Sequence, residues 1–170
     1  MVRNDLAELV SKMAKSPNSI DAYDKVLLRR LQDHGRATNV ELAEAANLSE
    51  SACFRRVRAL EDAGVITGYA ATVDPHAIGL GLTVYVSITL VSQAQDVLAA
   101  FEEAVAKAPE IIECHLMTGQ ADYIVRVVAS DVDDLERLHA KVLTRLPGVA
   151  RLNSSIALRS VVRRNALPIR

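Results

Sequence analysis

The chain of 170 residues has only two cysteines, Cys53 and Cys114, too few for a disulfide framework or a Cys-rich metal site. Both read as reduced thiols, with Cys53 on an apolar helical stripe, and no metal or cofactor is expected. No run is long and apolar enough to span a bilayer. The N-terminus lacks the basic-then-apolar order and small-residue cleavage site of a secretory signal, which predicts a cytoplasmic protein. Excess positive charge is missing too: twenty Lys and Arg against twenty-one Asp and Glu give a net charge of -1. That excludes a whole-surface basic protein of the histone kind, so any nucleic-acid contact must come from a local patch, duplicated by oligomerisation.

Such a patch is present. From Ser49 to Leu60 there are three arginines and one acid, Glu50. At helical period Cys53, Val57 and Leu60 share one stripe, while Ser51, Arg55 and Arg58 fall nearly opposite. Ser49 stands at the N-cap position and Gly64 at the left-handed C-terminal position. Upstream, Thr38-Asn39-Val40-Glu41 forms a capping box followed by Leu42, Ala45 and Ala46, a second short helix. Asn47, whose short amide tolerates the left-handed conformation, supplies the corner between the two. A lone basic helix is usually a solvated face. Here capping box, corner and polar helix agree in register, the pattern of a DNA-reading helix-turn-helix.

The remaining segments complete two domains. Leu6, Leu9, Val10 and Met13 keep helical spacing in an N-terminal extension, residues 1–18. After Ser19, a plausible cap, Tyr23, Val26, Leu27 and Leu31 give the apolar face of a first helix, and residues 65–74 a strand-glycine-strand wing, closing a DNA-binding domain over 19–74. Glycines at 79 and 81 mark a hinge over 75–81. From 82 to 170 the order is a strand over 83–90, a helix with Val97, Leu98, Phe101 and Val105 closed by Pro109, and two strands over 111–117 and 123–128 joined by a polar loop. A helix with Leu135, Leu138, Val142, Leu143 and Leu146 follows, and a last strand runs from Val149 to about Val162. This βαββαβ order predicts a ferredoxin-like unit, making the chain α+β with a winged helix-turn-helix in front. Helices cover one face of its sheet; the other is expected to be too apolar for water and therefore to self-associate.

Several motifs stand in the order of one family: Asp24-Lys25-Val26-Leu27, Leu31-Gln32-Asp33-His34-Gly35-Arg36, Leu48-Ser49, Arg56-Val57-Arg58-Ala59-Leu60-Glu61, Gly64-Val65-Ile66-Thr67-Gly68-Tyr69, Glu113-Cys114-His115-Leu116, Gly119-Gln120-Ala121-Asp122-Tyr123 and Leu146-Pro147-Gly148-Val149. With them the sequence resembles the Lrp/AsnC (leucine-responsive/asparagine-responsive, feast/famine) transcription regulators from about Ile20 to the end. The resemblance implies a DNA-binding regulator, not an enzyme, with a C-terminal amino-acid-sensing (RAM) domain, dimers assembling into octamers, double-stranded DNA as partner and a small amino acid as effector. It implies a DNA-facing set of Ser49, Ser51, Phe54, Arg55, Arg56 and Arg58, with Arg56 on the flank. Arginine suits guanine edges or phosphates because its planar fork donates two parallel hydrogen bonds. It also implies an effector site between dimers with Gly119, Gln120, Ala121 and Asp122 as lining. There Asp122 would pair with a ligand ammonium and loop amides would hold its carboxylate, although Asp122 could equally cap the turn. Leu116, Val132, Ser155 and Ile156 stand at positions that affect effector response in relatives, or serve ordinary packing. Asn47 replaces the family's usual glycine, and Ser155 stands where some members have a larger aromatic, which leaves a roomier pocket.

Two alternatives use the same chain. A nucleoid-architectural protein would wrap DNA with the same helix and oligomer but little sequence choice. A sirohaem-decarboxylase-like enzyme would draw on His76, His115 and His139, no two of which have metal or dyad spacing.

Overall fold

The computed structural model describes residues 20–169, so the expected helix around Leu6 to Met13 and the cap at Ser19 lie outside the described residues. The chain divides into two units. One runs to Ala71 and takes back the chain from Arg163 onward; the other is Thr72–Val162. The division falls slightly before the hinge expected over 75–81, and the residues from Arg163 onward pack with the first unit.

In the first unit, α1 spans Ala22–Asp33, α2 Asn39–Ala46 and α3 Glu50–Asp62. Helix α1 starts at Asp21, whose carboxylate accepts the Asp24 N–H at 2.9 Å while Asp24 accepts the Asp21 N–H at 3.3 Å. The expected box on α2 is present, with the Thr38 N–H donating to Glu41 Oε2 at 2.7 Å and the Glu41 N–H to Thr38 Oγ1 at 3.3 Å. Each box satisfies donors that a helix start leaves without intrahelical partners. Leu27, Leu42, Ala43, Ala46 and Cys53 form the core, with Val26, Leu31, Leu48 and Val57 packed against it. Ala43, not the expected Ala45, completes the apolar face of α2, because position 43 lies three residues before Ala46 on the same stripe. Tyr23, expected on the apolar face of α1, is 47% exposed.

Asn47, at φ 52° and ψ 49°, is the left-handed corner between α2 and α3. Helix α3 closes as expected at Gly64, φ 68°: the Val65 N–H reaches Leu60 O at 2.9 Å and the Gly64 N–H reaches Glu61 O at 2.9 Å. These two bonds are a Schellman motif, and they fix where the chain leaves the helix. Among the described residues the strands expected over 65–74 are absent, and most of that stretch is exposed. Within it the Tyr69 hydroxyl donates to Glu61 at 2.9 Å.

In the second unit, β1 is Leu82–Leu90, α4 Gln95–Ala106, β2 Ile111–Leu116, β3 Tyr123–Ala129, α5 Val132–Lys141 and β4 Val149–Ile156. The strands form one antiparallel sheet in the order β2-β3-β1-β4, the topology that βαββαβ predicts. Alternate residues Val84, Val86, Ile88 and Leu90 of β1 and Tyr123, Val125, Val127 and Ala129 of β3 are buried. All of these but Ala129 pack with Phe101 and Val105 of α4 and with Leu143 and Leu146, which follow α5 in a 3-10 turn and a short link. Strand β4 stops at Ile156 instead of about Val162.

The opposite sheet face is less apolar than expected. In register across it lie Glu113, Arg126, Tyr85 and Ser155 in one row and His115, Ile124, Ser87 and Asn153 in the next. Arg126 donates to Glu113 at 2.7 Å and holds that carboxyl below its ordinary range. Beyond β4, Leu158, Val161 and Val162 are 98%, 81% and 66% exposed. Among the described residues no helix is long and apolar enough to cross a membrane.

Candidate DNA-reading surface and effector loop

The basic helix presents less than its full complement of arginines. Arg56 turns back along the domain: its Nη1 donates to Asp21 Oδ2 at 2.8 Å and Asp24 Oδ1 at 2.9 Å, and its guanidinium lies 5.2 Å from the centre of the Tyr23 ring. The backbone N–H of Asp24, then Arg56, hold the Asp21 carboxyl below its ordinary value. This ties the start of α1 to the middle of α3 and turns Arg56, expected on the flank of the DNA-facing set, toward α1. The physical reason is charge compensation by the acidic first turn of α1.

Arg55 and Phe54 stand in solvent, Phe54 at 63% exposure. Arg58 carries an i,i+4 pair to Asp62 at 3.4 Å with both side chains about two-thirds exposed, a contact weak enough for a phosphate or base to displace. Ser49 acts as the N-cap, its Oγ accepting the Ala52 N–H at 3.3 Å and lying 3.3 Å from Ser51 Oγ. Two hydroxyls at the positive end of a helix form a polar, anion-compatible edge. Ser49, Ser51, Arg55 and Arg58 thus lie along the solvent side of α3. Its other side is locked into the core by Cys53 and Leu60. Phe54 rims a shallow depression of about 220 Å³ with Leu31, Leu42, Val57 and Tyr69, which the helical pattern alone did not reveal.

In the second unit the loop after β2 carries Gly119 at φ 136° and is closed by the Met117 N–H donating to Asp122 O at 2.8 Å. Asp122 is 7% exposed. Its Oδ2 accepts the Leu90 N–H at 2.8 Å and its Oδ1 the Gln93 side-chain amide at 2.5 Å, while its own N–H donates to Ile88 O at 2.9 Å. The carboxylate therefore braces the loop against the end of β1. Gln93 is a partner the sequence did not flag. A carboxylate offers about four acceptor sites, so two remain.

Of the other expected effector residues only Leu116 lies near this loop. Leu116 pairs with Tyr123 in the row that continues to Ile88 and Leu152, at the loop end of the sheet. Ile156 pairs with Val84, in the row of Val127 and Ile111, and Ser155 with Tyr85. Val132 opens α5 just past the end of β3. Four residues along a strand are ~13 Å, and the span from β2 to β4 adds three spacings of ~4.8 Å. Leu116 and the loop therefore stand at one end of the sheet, Val132, Ser155 and Ile156 at the other.

The histidines of the enzymatic alternative also stand apart. His76 is in the turn His76–Ile78. His115 pairs with Ile124 on the open sheet face, while His139 is on α5, which covers the opposite face.

Comparison with known proteins follows this division. Residues 20–67 match the family described as winged helix-turn-helix DNA-binding, and residues 83–167 match the Lrp/AsnC ligand binding domain. The Bkd operon transcriptional regulator of Pseudomonas aeruginosa is 41% identical over 150 residues, covering 88% of this chain and 98% of the relative. The leucine-responsive regulatory protein of Escherichia coli is 38% identical over 162 residues, covering 95% and 99%. Among solved structures, a Neisseria meningitidis transcriptional regulator in complex with L-methionine superposes with a TM-score of 0.83 at 35% identity, covering 88% of this chain and 97% of the other.

Proposed function

Since this chain belongs to the Lrp/AsnC family of transcription regulators, we propose that α3 reads double-stranded DNA through Ser49, Ser51, Phe54, Arg55 and Arg58, and that the second unit senses an α-amino acid. The observation that carries the first half is the two-faced chemistry of α3. One side is fixed by Cys53 and Leu60 in the core and by the Arg56 tie to α1; the other leaves two arginines and two hydroxyls available. A rigid mount with an exposed cationic edge suits insertion into a major groove.

For the effector, Gly119, Gln120, Ala121 and Asp122 form one half of the site, with Leu116 beside them. Val132, Ser155 and Ile156 form the other. Because the two halves lie at opposite ends of one sheet, a single ligand touches both only if different copies of the chain contribute them, which supports a site between subunits. The exposed Leu158, Val161 and Val162, with Tyr85 and Ile124 on the open sheet face, supply the apolar surface for such self-association. A dimer, and an octamer built from dimers, would also place several copies of α3 along one duplex. Complexes of L-methionine with the Neisseria meningitidis regulator and with the feast or famine regulatory protein of Mycobacterium tuberculosis make an apolar-chain amino acid the first class to test.

The experiment is a binding titration on duplexes selected by the protein from a random pool. Arg55→Ala and Arg58→Ala are expected to cost about 1–3 kcal/mol each on selected sites and to relax sequence preference, as loss of a base-reading arginine does. Unchanged affinity and preference in both variants would remove α3 from the interface. Occupancy across a genome at a few sharp sites supports the regulator, and broad occupancy the architectural alternative.

A further inference from the structure

The charge of this chain is unevenly distributed. After Glu136 there is no Asp or Glu, and the last 34 residues carry eight cations: Arg137, Lys141, Arg145, Arg151, Arg159, Arg163, Arg164 and Arg170. With a whole-chain net charge of -1, the first 136 residues carry -9. The end of this basic stretch is docked on the DNA-binding unit, to which the chain returns from Arg163 onward. There the side chain of Gln32 on α1 clasps the backbone of Leu167 from both sides, Oε1 accepting the Leu167 N–H at 2.5 Å and Nε2 donating to Leu167 O at 3.2 Å. Arg29, one turn earlier, donates to Ile169 O at 2.9 Å. A primary amide is the side chain suited to this, since it offers one acceptor and one donor to a single residue's backbone pair.

In sequence, Arg163 and Arg164 stand a few residues before that clasp. Both are exposed, and among the described residues neither has an ion-pair partner. Two adjacent unpaired guanidinium groups repel one another and gain most from a polyanion, because neutralising phosphates releases condensed counterions. We propose that Arg163 and Arg164 form a second DNA contact, sequence-independent and made to phosphates, and that Gln32 anchors the tail so that these cations travel with the reading helix. The proposal rests on the DNA-binding reading of the first unit and adds to it a partner surface outside the helix-turn-helix.

The test measures affinity against salt concentration for the full chain, using a random-sequence 40-base-pair duplex and a duplex selected by the wild type. Arg163→Gln with Arg164→Gln is expected to weaken both duplexes by a similar factor. It should also lower the slope of log affinity against log salt by about two per bound chain, roughly 0.9 per lost phosphate contact. Discrimination between the duplexes stays as in the wild type. An unchanged slope overturns the proposal, as does a variant whose only change is its oligomeric state. Gln32→Ala keeps all cations but opens the clasp; a smaller loss of affinity on both duplexes, with faster proteolysis after Val162, supports the anchor, and wild-type behaviour in both readouts overturns it. A wild type that binds neither duplex at low salt defeats the helix reading itself. Arg58→Ala that loses discrimination beside a tail variant with unchanged slope defeats the tail contact alone.

Discussion

At Asp122, bracing and ligand pairing are separable by substitution. Asp122→Ala leaves the buried Leu90 N–H without an acceptor and is expected to cost about 1–3 kcal/mol of stability in chemical denaturation. Asp122→Asn keeps an oxygen for that N–H, and Gln93 can turn its own amide to match, so the fold is retained while the negative charge is lost. If Asp122 pairs with an α-ammonium, the asparagine variant melts within a few degrees of the wild type yet shows no thermal shift with amino acids. A preserved ligand shift assigns Asp122 to bracing alone. Cys114 offers a pH test. Burial and the nearby Glu102 carboxylate raise its thiol from 9.0 to about 11. A folded value above the unfolded one means that the stability held by the neutral thiol is complete below pH 9.0 and is lost as pH climbs toward about 11. Alkylation of Cys114 at pH 8 is accordingly expected to be slow in the native protein and fast in denaturant; equal rates would contradict its packing against the core. Arg56 shows which contacts a local sequence pattern does not announce. On a helical wheel it lies roughly 65° from the centre of the Cys53, Val57 and Leu60 stripe, a flanking position where an arginine can reach either solvent or a neighbouring helix. Its partners Asp21 and Asp24 are more than thirty residues away in sequence, and no local pattern announces such a pair.

At the scale of elements, what was legible was whatever the local backbone must satisfy. The Thr38 and Glu41 box, the Ser49 cap, the left-handed Asn47 and the Schellman close at Gly64 are local rules of hydrogen bonding and sterics. The alternation of β1 and β3 announced the buried sheet face in the same way. What failed were segments whose fate depends on distant or missing partners. Residues 65–74 have strand-like composition but carry no strand among the described residues, and the apolar run after Ile156 reads as strand although only Leu82 and Thr83 of β1 lie beyond Val84 to pair with it. The residues that the resemblance names for an effector lie at opposite ends of the sheet, a separation that only its register reveals. Gly148 gives an element-level test. It sits at φ 72°, and an added Cβ would stand 2.6 Å from Val97 Cγ1 of α4. Gly148→Ala therefore combines backbone strain with a core clash and is expected to destabilise the fold by about 2–3 kcal/mol, read as a lowered denaturation midpoint. A change below half of that would mean that the turn before β4 is free to readjust.

For the whole molecule, the proposed effector site between copies of the chain is tested through assembly by the open sheet face. Light scattering behind gel filtration is expected to show a dimer or larger species. Tyr85→Glu, which places a second acid in the row of Glu113, is expected to shift it toward monomer while the circular dichroism spectrum is kept. Such a variant should also lose amino-acid binding, since neither end of one sheet makes a whole site. The expected behaviour is that one chain links an amino acid to DNA through two states of differing affinity. Its most direct test is fluorescence anisotropy of a selected duplex titrated with protein, in the absence and presence of whichever amino acid gives the largest thermal shift. The account predicts a change in apparent DNA affinity of about fivefold or more, absent in Asp122→Asn; identical isotherms with and without a bound amino acid would contradict it.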